Sequence, residues 1–332
     1  MMVPRTGSWH RRRTSLHQTT GSMPVLRQRS DPNAAADRPS PFLKWAGGKG
    51  QLVSRFLPLF PTRFSRFYEP FLGGGAVYLA LQPPVAKLSD LNGDLIHCWE
   101  IVRDHPAALM KSLDKHEFGS EYYYQLRAVQ PEALGPVERA SRFIYLNKTC
   151  YNGLYRVNRE GRFNVPFGSY ERPPRLYDRQ NLLKISEGLQ GVELTRASFD
   201  DAVSDARDGD FVYFDPPYHP LSKTANFTSY TEGSFSKRDQ ERLADTFREL
   251  HGRGCLVAVS NSDTPEIRRL YRGFRIQALL ATRAINSKGS RRGKIPELLI
   301  YSYERRVVRA KGPRRGKDHA GRQFGSEVRQ GS

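Results

Sequence analysis

Between about residues 41 and 304, short apolar runs alternate with amphipathic stretches. Arg66-Phe67-Tyr68-Glu69 predicts a strand running into Gly73-Gly74-Gly75, and Ala76 to Leu81 predicts the helix after it. Val85 to Ser89 predicts a second strand, ending at Asp90. Helical periodicity then extends from about Gly93 through Lys148, with breaks at Pro106, Gly119 and Pro131. Residues 150–172 lose that period. There Gly153, Gly161 and Gly168 punctuate short runs of Tyr, Val and Phe, the pattern of a β-hairpin or an irregular loop. Val192–Thr195 and Phe211–Phe214 predict further strands, and Ser236 with Asp239 caps a helix running to about His251. Cys255–Val259 reads as a buried strand, and 274–284 with 297–303 as a final antiparallel pair around a basic loop. This alternation, interrupted by a long helical segment, predicts an α/β doubly wound, Rossmann-like sheet with an inserted helical domain.

The flanks carry no such pattern. Residues 1–40 hold seven Arg against Asp31 and Asp37, and 305–332 hold nine Lys or Arg against Asp318 and Glu327; both read as disordered basic extensions. Met23 lies inside the first and is a second candidate start. The whole chain of 332 residues is +19, which makes a polyanion, nucleic acid first of all, the expected partner. Its 38 % hydrophobic residues suffice for a core, yet no apolar run reaches the roughly 20 residues of a membrane span. Arg11-Arg12-Arg13 is followed by no apolar segment, so a secretory signal is not expected. Cys98, Cys150 and Cys255 are far apart, which excludes a disulfide framework and a cysteine zinc site and fits a reducing cytoplasm.

Four stretches have candidate chemistry. Glu69-Pro70-Phe71-Leu72-Gly73-Gly74-Gly75 lets backbone approach a nucleotide-like ligand, and Asp90 ends the next strand where ribose hydroxyls need an acceptor. Tyr78 stands where the dinucleotide fingerprint has its third glycine, which disfavours NAD but not a smaller adenosine ligand; a tight turn with no ligand reads equally well. Asp215-Pro216-Pro217-Tyr218 follows an apolar strand, where open α/β sheets bind ligands. Asp215 and the Pro216 carbonyl can accept the two N–H groups of an exocyclic amine while Tyr218 stacks a base, although Asp-Pro also starts ordinary turns. Phe42-Leu43-Lys44-Trp45-Ala46-Gly47-Gly48-Lys49 lacks the P-loop pattern, so ATP hydrolysis has no support, but its aromatic and lysine suit an adenine and a carboxylate. Finally, 147–168 interleaves Asn and Arg, which read base edges, with Tyr and Leu, which wedge between bases; a hairpin with core aromatics has the same composition.

The order of these stretches carries more than any one of them. Phe42–Lys49, Glu69–Gly75, Asp90-Leu91-Asn92, Tyr151–Gly168 and Asp215–Tyr218 closely resemble the Dam-type (D12 class) DNA adenine-N6 methyltransferases. The likeness continues through Ala225-Asn226-Phe227-Thr228, Val259-Ser260-Asn261 and Ser287-Lys288-Gly289, and covers essentially all of 41–304. The resemblance implies a catalytic domain at 41–94 and 191–304 that binds S-adenosylmethionine, with no metal. It implies a target-recognition domain at 95–190, with its hairpin near 150–170. Trp45, Lys49, Asp90, Glu69, Gly73, Gly75 and Asp215 would hold the methyl donor, with Phe199 after the strand at 192–195 a looser match. Asp215, Pro216 and Tyr218 would be catalytic, acting on an adenine flipped out of the duplex.

By the same resemblance, Tyr151 and Asn152 would enter the site left by the flipped base, while Lys44, Leu154, Arg156 and Pro166 contact flanking base pairs. Arg156 would make a bidentate contact to guanine. Lys288, Arg291, Arg292 and Lys294, in the basic loop before the last strand, suit phosphates, and a solvated charged loop reads equally well. The close match over 151–168 implies GATC as the target, despite Thr149-Cys150 replacing a more basic or glycine-containing pair. Double-stranded DNA is then the partner of a cytoplasmic, nucleoid-associated bacterial or phage protein, expected to be a monomer without membrane or obligate protein partner. Either an orphan methylase or the partner of a restriction nuclease fits. RNA-adenine and protein-glutamine enzymes usually carry Asn at the position of Asp215, and cytosine-N4 enzymes Ser. A DNA-binding protein that has lost catalysis would be expected to have lost some of Trp45, Lys49, Asp90 and Asp215–Tyr218, all of which are present.

Overall fold

A computed structural model of the chain describes residues 38–45, 47–50, 52–218, 235–282 and 294–304. The apolar runs form β1 (Phe67–Glu69), β2 (Ala86–Asp90), β3 (Glu193–Arg196), β4 (Phe211–Phe214), β5 (Leu256–Ser262), β6 (Arg275–Thr282) and β7 (Lys294–Tyr301). They make one sheet in the order β3-β2-β1-β4-β5-β7-β6. The first five in chain order pair in parallel, and β7 is antiparallel to both β5 and β6. A parallel strand covered on both faces must be apolar throughout, and all four residues of β4 are buried. Alternation divides them: Phe211 and Tyr213 join one core, Val212 and Phe214 the other.

Helices cover both faces. The first core includes Phe56 of α1 (Val53–Phe56), Tyr78 of α2 (Ala76–Leu81) and Trp99 of α3 (Gly93–Asp104). α4 (Pro106–Leu113), α5 (Ser120–Ala128), α6 (Pro136–Thr149) and α7 (Arg179–Gly188) follow α3 before the chain returns as β3. α3 packs on the sheet and on α6, so a boundary at 94/95 falls inside its first turn. A small separate core of Tyr123, Tyr145, Leu146, Cys150 and Val165 joins α5 and α6 to the loop beyond. On the opposite face α8 (Lys237–Gly252) buries Leu243, Phe247 and Leu250, and α9 (Pro265–Leu270) buries Ile267. The capping box at Ser236 and Asp239 is formed as the spacing predicts.

Several boundaries differ from those read in the sequence. Pro106, read as a break, is the first residue of α4, where its missing N–H costs nothing. Pro131 opens only a 3-10 turn, and α6 starts at Pro136. Residues 150–172 have no continuous ladder: two isolated bridges, Cys150–Phe167 and Val157–Phe163, pin an irregular loop. β5 continues past Val259 through buried Ser260, Asn261 and Ser262, polar residues that an apolar-run criterion stops at. β7 starts before Pro296, at a point where among the described residues it pairs with β6 alone, so the missing N–H interrupts no second ladder there. Short α1 and α9, and α7, were not singled out in the sequence, although Thr264-Pro265 is a cap followed by a first-turn proline. Pro39 is buried and Ser40 N donates to Asn181 Oδ1 (2.8 Å), so the packed region begins ahead of residue 41. The rest of the N-terminal extension, the 305–332 tail, the 225–228 motif and the basic loop with Lys288 and Arg291 lie outside the described residues. Among the described residues no helix is long and apolar enough to cross a membrane.

The strand order reverses between β1 and β4. Connections leave β1 toward β2 and return to β4 on its other side, which opens a crevice beyond the carboxyl ends of these two strands.

Candidate active site

Glu69 ends β1 and Asp215 follows β4, so both carboxylates stand at this crevice. Lys49 reaches it from the first motif, 4 % exposed, with Nζ 2.8 Å from Asp215 Oδ1 and 2.7 Å from the Gly47 carbonyl. The hydroxyl of buried Ser260, on β5, donates to the same Oδ1 (2.8 Å), and the buried Tyr213 hydroxyl donates to Ser260 Oγ (3.0 Å). Asp215 Oδ2 has no hydrogen-bond partner among the described residues. One carboxylate oxygen is therefore fixed and the other is left to accept.

The rest of the tetrapeptide is held from behind. Buried Gln240, on α8, donates to the Pro217 carbonyl (2.9 Å) and accepts from Asn261 Nδ2 (3.0 Å). Tyr218 OH donates to Glu297 Oε2 on β7 (2.7 Å), and Lys49 Nζ lies 4.4 Å from the centroid of the Tyr218 ring. Burial raises the Tyr218 phenol well above its ordinary value, with Asp215 adding to the effect, so the phenol stays protonated.

Beside this tetrapeptide lies the turn after β1. Gly73 and Gly75 have φ of 48° and 66°, and a Cβ there would come within 2.7 Å of the Trp45 ring and 2.6 Å of the Trp99 ring. The turn is thus free of side chains because two tryptophans close on it. Trp99 Nε1 also donates to the Gly73 carbonyl (3.2 Å). Asp90 Oδ2 accepts from Gly73 N and Oδ1 from Asn92 N, both at 3.0 Å, which ties the end of β2 to the turn. Burial raises the Asp90 carboxyl, and these N–H groups oppose the rise. Glu69, 2 % exposed, accepts from Tyr78 N (3.0 Å); burial, then the nearby Asp215 charge, push its carboxyl well above the usual range. Phe199 is buried against Phe71, ring centroids 5.6 Å apart, with the Arg242 guanidinium over its ring.

Trp45 joins this region to the irregular loop, stacking on Tyr155 (5.5 Å) and Phe143 (6.2 Å). Asn147, buried on α6, grips the Lys44 backbone: its Oδ1 accepts from Lys44 N (2.9 Å), and its Nδ2 donates to Lys44 O (2.7 Å) and Gly153 O (3.3 Å). Tyr151, Asn152, Leu154, Arg156 and Pro166 are all exposed on this loop, as is Lys44 beside it. Tyr151 N donates to the Pro166 carbonyl (2.9 Å), and Asn152 takes the left-handed conformation (φ 56°). Arg156 donates through Nε to Asn164 Oδ1 (2.7 Å) and through Nη2 to the Asn164 carbonyl (3.2 Å). Except for Lys288 and Arg291, the residues named from the sequence thus fall in one connected region. Sequence reading did not single out Trp99, Gln240, Asn261 or Glu297 as site residues. Ser260 and Asn261 stood in a quoted motif without a role; Gln240 and Glu297 leave no local signal, because only the packing of α8 and the order of the sheet bring them to the tetrapeptide.

The sequence pattern of the D12 class N6 adenine-specific DNA methyltransferases matches residues 45–285. The chain is 43 % identical over 271 residues to the type II methyltransferase M1.LlaDCHI of Lactococcus lactis subsp. cremoris, covering 79 % of this chain and 95 % of that protein. It is 43 % identical over 288 residues to the type II methyltransferase M.MjaIII of Methanocaldococcus jannaschii, covering 79 % and 99 %. It is 38 % identical over 265 residues to the DNA adenine methylase of Escherichia coli K12, covering 78 % and 93 %.

Proposed function

Because the chain belongs to the D12 class of N6 adenine-specific DNA methyltransferases, we propose that it methylates adenine within GATC in double-stranded DNA, on a base flipped out of the helix. The class implies S-adenosylmethionine as methyl donor. The residues at the crevice suit that molecule. Asp90 supplies a carboxylate for a ribose diol, Lys49 a cation for the methionine carboxylate, and Glu69 and Asp215 acceptors for its ammonium. The turn at Gly73 and Gly75 keeps backbone open to close approach, with Trp45 at its side and Phe199 at the adenine end. When bound, S-adenosylmethionine supplies an electrophilic methyl group on a sulfonium.

The chain's own residues act on the acceptor. The adenine N6 lone pair is delocalised into its ring and is a poor nucleophile. Asp215 Oδ2 and the Pro216 carbonyl accept its two N–H groups, which favours positive charge growing on N6 and aims the nitrogen. The N6 proton becomes acidic once the new bond forms, so Asp215 takes it without being a strong base. Lys49 occupies one side of the Tyr218 ring, which leaves the other face for the base. Tyr151 and Asn152 fill the vacated position in the duplex, and Lys44, Leu154, Arg156 and Pro166 read its neighbours. Lys288 and Arg291 add phosphate contacts. We assign target recognition to 95–190 and place the enzyme in the cytoplasm as a monomer.

The observation that carries this reading is the state of Asp215: Oδ1 held by Lys49 and Ser260, Oδ2 unpartnered among the described residues at the crevice. Incubation with S-adenosylmethionine should protect GATC-containing DNA from a nuclease blocked by GATC methylation. Full cleavage, with tritiated methyl entering the DNA elsewhere, would refute the target; no incorporation would refute the activity in this chain. Asp215→Ala should abolish transfer while DNA affinity stays within about threefold, because the reading residues lie on another element; loss of both together would contradict these roles.

A further inference from the structure

Ser260 stands at the centre of a buried chain of hydroxyls. Its side chain is fully buried on β5: it accepts from Tyr213 OH (3.0 Å), donates to Asp215 Oδ1 (2.8 Å), lies 3.5 Å from the Phe214 carbonyl and also meets the Tyr218 side chain. A serine has one proton to give. The ionised carboxylate at 2.8 Å is a stronger acceptor than a carbonyl at 3.5 Å, so the proton goes to Asp215. Tyr213 settles the direction. Its phenol is fully buried, and Ser260 Oγ is its only hydrogen-bond acceptor among the described residues. With the Tyr213 proton on one side of Oγ, the serine proton must point to the other.

We propose that Ser260, backed by Tyr213, is a positioning residue for methyl transfer: it locks Oδ1 of Asp215 as a permanent acceptor, so that only Oδ2 is presented to the adenine amino group. This rests on the reading of Asp215 as the acceptor of N6–H. Lys49 alone does not impose that aim. An ammonium on a flexible stem follows a carboxylate through a rotation, whereas a serine fixed in the middle of β5 does not. The hydrogen bond also stabilises the charged carboxylate. The other titratable or charged groups around it are Lys49 from the first motif, Glu69 at the end of β1, Tyr218 in the tetrapeptide and Glu297 on β7. Of these, Tyr218 also interacts with the Ser260 side chain, so Tyr213→Phe, which leaves Ser260 in place, separates the aim of Asp215 from the setting of Tyr218.

The test is single-turnover methylation by full-length Ser260→Ala, Ser260→Thr and Tyr213→Phe, at saturating S-adenosylmethionine and DNA, with affinities for both measured separately. Parent protein and Asp215→Ala run alongside. We expect Ser260→Ala to lose about ten- to a hundredfold in the rate constant, with affinities changed less than threefold. Ser260→Thr, which keeps the hydroxyl, should recover most of the rate, and Tyr213→Phe should fall between. Folded variants with the parent's rate constant would overturn the proposal, as would a Ser260→Thr variant no faster than Ser260→Ala, or a loss confined to affinity for S-adenosylmethionine. If Ser260→Ala fails to fold, Tyr213→Phe, which removes one oxygen, decides. A parent protein that methylates no adenine would instead sink the reading of Asp215, a result distinct from either.

Discussion

Glu69 pays for its place at the crevice. Its carboxyl is buried beside Asp215, and both features push its proton affinity up, opposed by the Tyr78 N–H and by Lys49. An unfolded Glu titrates near about 4.3, and the folded one well above that. Between the two values the folded state holds more protons than the unfolded, so stability falls as pH rises through this window. Glu69→Gln should remove that slope and raise the Tm of the ligand-free protein at pH 8, while weakening its binding of S-adenosylmethionine. Calorimetry at pH 5 and pH 8 checks the first part, and an unchanged slope would show that Glu69 is ionised throughout. Arg156 is the residue to test for reading. Asn164 holds its guanidinium by two hydrogen bonds, at an exposed position on the loop. Arg156→Ala should lower discrimination at the guanine by about 1–3 kcal/mol, measured as relative kcat/KM on GATC and its single-base variants. An undiminished preference would remove Arg156 from the readers. Both residues were visible in the sequence as types in a motif. That Glu69 is hard to ionise was not, because it depends on burial and on Asp215 far along the chain, and that Arg156 is pre-oriented was not, because only the folded loop brings Asn164 back against it.

At the level of elements, the helical segment is tied together by polar groups as well as by its small core. His116, between α4 and α5, makes hydrogen bonds at one ring nitrogen to Tyr122 OH (2.7 Å) and at the other to Ser141 Oγ on α6 (2.9 Å). Burial lowers its pKa from about 6.5 to about 4, so the folded protein holds it neutral. The unfolded chain binds the proton first as pH falls, and the stability this supports is complete above about 6.5 and lost on the way to 4. His116→Ala should therefore lower Tm at pH 7.5 yet shrink the fall in Tm between pH 7.5 and 5. A variant as acid-sensitive as the parent would assign that sensitivity to other groups. Element type was legible wherever periodicity ran long or a strand was bounded by turn residues: α2 and β4 match residue for residue. Short α1 and α9 were missed because a helix of one or two turns is shorter than the window in which a 3.6-residue period shows. The end of β5 was missed for another reason: its last residues are polar, Ser260 bonding to Asp215 and Asn261 to Gln240, so an apolar run stops short of them.

Over the whole molecule, the +19 charge is unevenly placed. Residues 1–40 carry +5 and residues 305–332 carry +7, which leaves +7 between them. Deleting both ends should flatten the dependence of DNA affinity on salt, since fewer cations displace counterions, while the preference for GATC remains. Binding titrations from 50 to 200 mM salt measure the first and relative methylation rates the second; loss of preference on deletion would place recognition in the ends. Sequence alone determined the reaction class, because its contiguous motifs stand in the order of the family they resemble, and it named candidate site residues that the fold then brings to one crevice. Net charge indicated a nucleic-acid partner without indicating any chemistry. Tertiary structure decided how those groups are held. The reversal of strand order between β1 and β4 opens the crevice, and β5, α8 and β7 bring Ser260, Gln240 and Glu297 behind the tetrapeptide. Such supports depend on which strands become neighbours, a property of the folded sheet that no local stretch of sequence encodes.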